Sequence, residues 1–298
     1  EWRTALVGTL AGGGRGFFVL DVTNPGGIAS ASATDINNLV ITDKTDTFTP
    51  STNVGLPAAT WSDIGHMYSP PTVSSANSAR VVQITQLNNN RWALLIGNGV
   101  NSADETASLL IQYLDGDKEL VKLTADATVG GGNGLSNPQV IDLNGDDKAD
   151  VAYAGDIKGN LWKFDLTSAS PSSWSVAFSG LPLFVAKGDP AGGAASGDAQ
   201  AILTAPTWVY NRVVTPTATI NGINLVFGTG RDITATDPAS TAVQTLYSVW
   251  DNTHIGNTVT AGVSTATLTG GTVVPSSASG GRTSLQAITQ TTTTTTTA

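Results

Sequence analysis

Five residues within one short stretch could supply oxygen ligands to a metal ion. Asp142, Asn144, Asp146 and Asp150 carry side-chain oxygens at positions one, three, five and nine of the stretch, and Lys148 offers a backbone carbonyl. This odd-numbered spacing is the one by which a tight loop turns its oxygens toward one point. Calcium takes about six to eight oxygen ligands, so water would complete the shell. The stretch therefore predicts a calcium site.

The stretch differs from an EF-hand loop, and a simpler interpretation remains. An EF-hand requires Gly at position six and a bidentate Glu at position twelve, where this chain has Asp147 and Tyr153. The alternative interpretation is a solvated acidic turn that binds no ion. We favour calcium because four closely spaced acceptors without a nearby Arg would repel one another if no cation were bound.

Two short apolar runs flank this loop and must position it. Residues 138–141 lead in and residues 151–154 lead out, and both runs lie beside turn-forming residues. Runs of this length and type are typical of β-strands. We therefore expect the loop to join two strands rather than two helices.

A pattern of four short strands recurs along the chain. The second strand of each unit is an apolar run that ends in Gly, and the third strand ends in Asp. The second strands are predicted at 4–10, 92–99, 150–156 and 224–230, and the third strands at 17–21, 109–115, 161–165 and 246–251. First strands are predicted at 69–73, 136–140 and 205–209, and fourth strands at 38–42, 119–124, 174–178 and, most weakly, 283–289.

A unit of four strands in about 40 to 50 residues is typical of a β-propeller blade. The predicted fold is therefore all-β, a propeller of four-stranded antiparallel blades. The blades are placed at about 3–60, 61–127, 136–180 and 201–290, and a Thr-rich tail follows at 291–298. No first strand precedes Thr4. Either the C-terminal tail folds back to supply it or this region is part of a larger propeller, and we favour the second.

Composition limits the possible partners. The net charge is −9 with only 14 Lys plus Arg, which argues against a nucleic-acid partner. Cysteine is absent, so no disulfide or thiolate metal site is available. No apolar run reaches about 18 residues, and we expect no membrane span. The chain starts at Glu1 rather than Met, so we expect a processed product or a fragment.

Several further residues have simple structural interpretations. The four strand-closing aspartates are expected to bond the turns that follow them, and three strand aromatics are expected in the core between blades. These residues are Asp21, Asp115, Asp165 and Asp251, and Trp162, Phe164 and Trp250. His66 and His254 are far apart in sequence and are expected in loops or on the surface, without zinc or triad chemistry.

The sequence resembles a known family. Residues 142–150, with 153–156 and 159–166, closely resemble the C-terminal propeller of the PilY/PilC family, the tip-associated proteins of type IV pili. Four further stretches are similar to other blade motifs of that family, in the same order. They lie at 14–23, 68–71, 96–102 and 227–231 with 246–251, so the resemblance spans about residues 3 to 253.

The resemblance implies a modified quinoprotein-like propeller at the pilus tip, extracellular and associated with the outer membrane. In the family, calcium in this loop tunes pilus extension against retraction, and the whole protein serves pilus biogenesis and adhesion. The implied ligands are Asp142, Asn144, Asp146, the carbonyl of Lys148, and Asp150. The implied partners are minor pilins of the tip complex and host or abiotic surfaces. The family's N-terminal half, where adhesive domains lie, is not in this chain.

Two alternatives stay open at this point. One is a quinoprotein-type dehydrogenase, because propellers of this type can hold a quinone beside calcium. The vicinal cysteines and the converging acid/base groups of such enzymes are missing, so we expect no enzyme activity. The other alternative is a propeller whose calcium is purely structural, and affinity would separate it from a regulatory site.

Overall fold

The chain is dominated by short antiparallel β-strands. The computed structural model describes residues 2–28, 32–50, 55–74, 81–187, 199–211, 213–214, 219–274 and 285. The α-helices are short, and they are α1 (Pro25–Ile28) and α2 (Ala33–Leu39). A third helical segment, α3 (Ala177–Gly180), is a single turn with non-helical backbone at Phe178 and Ser179. Single 3-10 turns lie at Ala11–Gly13, Trp61–Asp63, Pro171–Ser173 and Asp237–Ala239. No helix in these ranges is long and apolar enough to cross a membrane.

Sheets 1 and 2 form the N-terminal half of the described structure. Sheet 1 contains β1 (Ala5–Thr9), β2 (Phe17–Asp21) and β3 (Val40–Asp43) in that order. Sheet 2 contains β4 (Ile84–Leu87), β5 (Trp92–Gly97), β6 (Ala107–Tyr113) and β7 (Leu120–Asp126), each antiparallel to the next. A fifth strand, β9 (Lys148–Ala149), adds to the β4 edge of sheet 2 in parallel.

Sheets 3 and 4 follow with the same up-and-down order. Sheet 3 contains β8 (Gln139–Ile141), β10 (Val151–Gly155), β11 (Asn160–Asp165) and β12 (Ser175–Val176), and β13 (Phe184–Val185) also pairs with β11. Sheet 4 contains β14 (Thr207–Tyr210), β17 (Ile223–Gly228) and β18 (Leu246–Asp251). Two hairpins complete the list, β15 (Val213–Val214) with β16 (Thr219–Ile220) and β19 (His254–Thr260) with β20 (Val263–Thr269).

The hydrophobic core lies between successive sheets. Alternate residues of a strand point to opposite faces, so Leu95 of β5 packs toward sheet 3 while Leu94 packs toward sheet 1. In the same way Ala152 of β10 packs toward sheet 2 and Tyr153 toward sheet 4. Sheets 2 and 3 are therefore buried on both faces, which explains their continuous apolar runs. This face-to-face stacking of consecutive sheets is what a propeller requires.

The glycines that end the second strands have a packing reason. A Cβ on Gly97 would lie 2.0 Å from the carbonyl oxygen of Ser136, and a Cβ on Gly155 would lie 2.2 Å from the side chain of Ile202. In each case the obstacle belongs to the chain entering the next sheet. Gly228, at the same place in sheet 4, has nothing within 4 Å of such an atom. Glycine is required where the next sheet approaches closely.

Most predicted strands are confirmed, but some details are wrong. The first strand of sheet 2 is β4, not 69–73, because Pro70 and Pro71 have no N–H to donate to a ladder. The strand predicted at 174–178 stops at Val176, since Phe178 and Ser179 have φ of 55° and 58°.

Trp250 was expected in the core, and this prediction is wrong. Trp162 and Phe164 are buried between sheets 2 and 3 as expected, but Trp250 remains 41% exposed. Its indole Nε1 donates to the carbonyl of Asn221. The outer face of β18 carries Trp250 and Leu246, and both are exposed.

The strand-closing aspartates bond their turns in three of four cases. Asp21, Asp165 and Asp251 each accept hydrogen bonds from the backbone N–H and the hydroxyl of the Thr two residues later. Asp115 is the exception, because its carboxylate accepts from Arg91 Nε at 2.8 Å and from the N–H of Trp92.

Other predictions fall outside the described residues or stay untested. The weak strand at 283–289 lies outside them except for residue 285, and the tail at 291–298 lies wholly outside them. The division into four blades also stays a prediction, because the sheets formed by the described residues do not close into a ring that would fix the count.

Candidate metal centre

The predicted calcium loop lies between β8 and β10, and a hydrogen bond joins its two ends. The N–H of Asp150 donates to the carbonyl of Ile141 at 2.9 Å, where the two strands begin to pair. Before reaching β10 the chain passes through β9, which pairs with β4 of sheet 2. The loop therefore joins two strands, as the sequence predicts, and its exit is held by a neighbouring sheet.

Asp142 organises the first half of the loop. Its Oδ1 accepts from the N–H groups of Asn144, Gly145 and Asp146 at 3.2, 2.7 and 3.3 Å, and its Oδ2 accepts from Asp147 at 2.8 Å. To surround the Asp142 carboxylate in this way, the chain takes a left-handed backbone conformation at Gly145 and Asp147, with φ of 79° and 64°. Gly and Asp tolerate that conformation better than most residues.

The next two donors continue the same pattern. Asn144 Oδ1 accepts from the N–H of Asp146, and Asp146 Oδ1 accepts from the N–H of Lys148, both at 3.1 Å. Lys148 Nζ lies 3.8 Å from Asp146 Oδ2. The Nδ2 group of Asn144 is buried and finds no hydrogen-bond partner in the part of the chain that the structure describes. A buried amide group without a partner is unusual and calls for an explanation at this site.

Asp150 closes the loop and is fully buried. Its Oδ2 accepts from the N–H of Leu143 at 2.8 Å, and its Oδ1 accepts from Asn88 Nδ2 at 3.0 Å. Burial raises the pKa of the Asp150 carboxyl to about 6, because the charges of Asp142 and Asp146 add to the effect and the two hydrogen bonds only partly oppose it. Among the described residues, the Asp150 carboxylate has two hydrogen-bond donors but no ion-pair partner.

Two residues from neighbouring sheets contact the loop, and neither was predicted. Asn88 follows β4, and its Nδ2 donates to Asp150 Oδ1 and to the carbonyls of Ala149 and Leu166, each at 3.0 Å. Tyr210 ends β14, and its hydroxyl donates to the carbonyl of Leu143 at 3.1 Å. No local pattern around either residue points to this loop, because the contacts arise only when the sheets stack.

The structure places all five predicted ligand residues in this one turn. Asp142, Asn144, Asp146 and Asp150 turn side-chain oxygens toward the loop's own N–H groups. The oxygens that accept from a single N–H keep a second lone pair for an ion. They are Asn144 Oδ1, Asp146 Oδ1, Asp150 Oδ2 and Asp142 Oδ2. Among the described residues, no group of three or more His, Cys, Asp or Glu side chains is assembled to hold a metal. Calcium is a good chemical match, since the donors are hard oxygens around an uncompensated buried carboxylate.

The two histidines contact different parts of the chain. His66 Nδ1 lies 2.8 Å from the carbonyl oxygen of Ala11, whereas His254 Nδ1 lies 3.0 Å from the Nδ2 of Asn221. The two histidines thus have separate partners.

The family model of the PilY1 beta-propeller domain matches residues 1–287. The chain is 33% identical over 268 residues to the type IV pilus biogenesis factor PilY1 of Pseudomonas aeruginosa strain PAO1, covering 84% of this chain and 19% of that protein. A PilY1 homolog from Xylella fastidiosa is 32% identical over 276 residues, covering 88% of this chain and 16% of the homolog. The chain thus spans less than a fifth of these curated relatives.

A solved structure agrees with the sequence matches. The crystal structure of the Pseudomonas aeruginosa PilY1 C-terminal domain aligns with a TM-score of 0.61 at 29% identity. The alignment covers 90% of this chain and 54% of that domain. The stacked antiparallel sheets are therefore those of a β-propeller, and this chain belongs to the PilY1 β-propeller family.

Proposed function

We propose that this chain is the calcium-binding β-propeller of a type IV pilus tip protein. It acts in pilus biogenesis, in the control of extension against retraction, and in surface adhesion. It carries no enzymatic activity of its own. The ligands are Asp142, Asn144, Asp146, the carbonyl of Lys148, and Asp150.

The observation that carries the calcium assignment is the buried Asp150 carboxylate at the base of an acidic loop. Asp142 and Asp146 add negative charge close to it, and Lys148 Nζ, 3.8 Å from Asp146, is the cation at the loop. A buried charge needs a partner. Bound calcium would cancel the repulsion among the three carboxylates and hold the turn in one conformation.

The role in the pilus rests on the relatives. They are named type IV pilus biogenesis factors rather than enzymes. We extend this name to the present chain, and with it the association with minor pilins of the tip complex and the location at the cell surface. Contact of the tip with host or abiotic surfaces is the adhesive part of the proposal.

Calcium gives the propeller a way to respond to its surroundings. An ion site of micromolar affinity is filled or emptied as calcium changes, whereas a much tighter site stays full. Filling the site changes the rigidity of a surface loop that pilus partners can contact.

The experiment compares two charge-matched variants of the full-length protein in piliated cells. Asp150→Asn removes a charge from the ligand set, whereas Asp147→Asn removes a charge from an exposed residue of the same loop. Twitching motility and surface pilus number are measured with both proteins present at equal amounts. We expect the first variant to change retraction and the second to behave as the unmodified protein. Equal behaviour of all three proteins would overturn the regulatory role.

A further inference from the structure

The exit of the calcium loop belongs structurally to sheet 2, although its sequence belongs to sheet 3. Lys148 and Ala149 pair with Gln86 and Leu87 in a parallel register. Immediately after this pairing, Asn88 is buried and places its Nδ2 3.0 Å from Asp150 Oδ1. One side chain outside the loop thus holds the buried carboxylate of the last ligand residue.

The other side of the loop is held by sheet 4. The hydroxyl of Tyr210 donates to the carbonyl of Leu143, the second residue of the loop. Trp208, on the same strand, packs edge-on against the Tyr210 ring with centroids 5.0 Å apart. Burial and the charges of Asp142 and Asp150 raise the pKa of the Tyr210 phenol.

We propose that the calcium loop is a joint between three consecutive sheets, with Asn88 and Tyr210 as its positioning residues, so that ion occupancy is transmitted to sheets 2 and 4. This inference rests on the calcium assignment above. It adds two positioning residues that lie 54 and 60 positions from the nearest ligand in sequence, at Asn88 and Tyr210 respectively. The affected surface is therefore wider than the loop itself.

The two contacts differ in what they fix. The amide of Asn88 has two N–H groups and reaches three acceptors at 3.0 Å, so it orients the Asp150 carboxylate directly. Tyr210 fixes a backbone carbonyl next to Asp142 instead. Residues that orient metal ligands typically change metal affinity by about 10- to 100-fold when they are removed. We expect the Asn88 effect to be the larger one.

The test uses two variants and two matched controls in the full chain. Asn88→Ala removes the amide that reaches the loop, whereas Asn89→Ala removes an amide of the same hairpin that bonds within sheet 2, to Tyr113. Tyr210→Phe removes one hydroxyl at the loop. Tyr68→Phe removes a hydroxyl from a tyrosine of equal exposure, 47%, elsewhere on the surface.

Two quantities are measured for each protein. Calcium affinity is measured by calorimetry, and amide hydrogen exchange is measured with calcium and with chelator. In the unmodified chain we expect calcium to slow exchange in residues 84–92 and 207–210 as well as in the loop. Asn88→Ala should bind calcium about 10- to 100-fold more weakly and lose the calcium-dependent protection of 84–92. Tyr210→Phe should lose the calcium-dependent protection of residues 207–210. Both controls should behave as the unmodified chain.

The outcomes separate the joint from the calcium site itself. Calcium binding with protection confined to residues 142–150, unchanged by either variant, would overturn the joint and leave the site intact. Absence of calcium binding in the unmodified chain would overturn the site first. If Asn88→Ala fails to fold, exchange in the unmodified chain and in Tyr210→Phe still decides the question.

Discussion

The side-chain amide of Asn88 donates to Oδ1 of Asp150 at 3.0 Å, across the boundary between two sheets. Both residues are buried, so this hydrogen bond is screened little by water. It ties the residue that closes the calcium loop to a hairpin of the preceding sheet. Closure of the loop and packing of the neighbouring sheets are therefore parts of one structural unit.

Calcium should stabilise the folded chain. A ligand that binds only the native state adds free energy of unfolding by mass action, about 2.7 kcal/mol when its concentration is 100 times its Kd. We therefore expect thermal melts with calcium to shift upward relative to melts with chelator, and Asp150→Asn to show no shift. A chelated chain that is already unfolded at room temperature would identify the ion as structural.

Lys163→Met should destabilise the contact between sheets 3 and 4. Lys163 Nζ lies 2.7 Å from Asp251 Oδ2, both side chains are buried, and Tyr153 also donates to this oxygen. Removing one partner of a buried ion pair leaves an uncompensated charge and costs about 3–5 kcal/mol. Denaturant unfolding measures the change. The control is Arg3→Ala, which breaks the exposed pair with Asp21 and should cost at most about 1 kcal/mol. Equal effects of the two substitutions would contradict this account.

The same ion pair sets a pH dependence. Burial raises the pKa of Asp251, but the charge and hydrogen bond of Lys163, with bonds from Thr253 and Tyr153, outweigh it, and the pKa lies below its ordinary 3.8. A carboxyl with a lowered folded pKa contributes stability above its unfolded pKa and loses it as pH falls through the folded value. The stability difference between the unmodified chain and Lys163→Met should therefore shrink below about pH 4. A difference that stays constant from pH 7 to pH 3 would exclude this origin.

Gly97→Ala should be severely destabilising, and Gly228→Ala should not. Both glycines end the second strand of a sheet. An added Cβ meets the Ser136 carbonyl at 2.0 Å in the first case and nothing within 4 Å in the second. Overpacking of this kind typically costs about 1–3 kcal/mol, and more where backbone must move. Unfolding free energies of the two variants give the comparison, and similar losses would show that the next sheet does not set the requirement for glycine.

The repeat of apolar runs made much of the fold predictable. β5, β10 and β17 combine apolar residues with a terminal glycine, and β11 and β18 end in the Asp that bonds the following Thr. These signals are local, because they depend on strand alternation and turn chemistry. The sequence did not predict β4, because its short alternation of apolar and polar residues is a weaker strand signal than the Pro-containing run that precedes it. The prediction that Trp250 is buried was wrong, because the burial of a strand residue depends on whether another sheet covers its face of the strand.

The sequence predicted the loop of the candidate site, but not the contacts between this loop and the neighbouring sheets. Asp142, Asn144, Asp146 and Asp150 share one turn, so their spacing alone brings them together. Asn88 and Tyr210 are far away in sequence and meet the loop only through the pairing of β9 with β4 and the stacking of β14 on sheet 3. The prediction for Asp115 was wrong for the same reason, because Arg91, which lies just before β5, supplies a stronger partner than the turn.

Calcium binding by this loop is the central claim, and calorimetric titration of chelator-treated chain tests it most directly. The unmodified chain, Asp150→Asn and Asp147→Asn are titrated under identical conditions, after circular dichroism shows that all three are folded. We predict one calcium per chain for the unmodified protein and for Asp147→Asn, and no measurable binding for Asp150→Asn. Equal calcium affinity in all three proteins, or binding in none of them, would contradict the assignment.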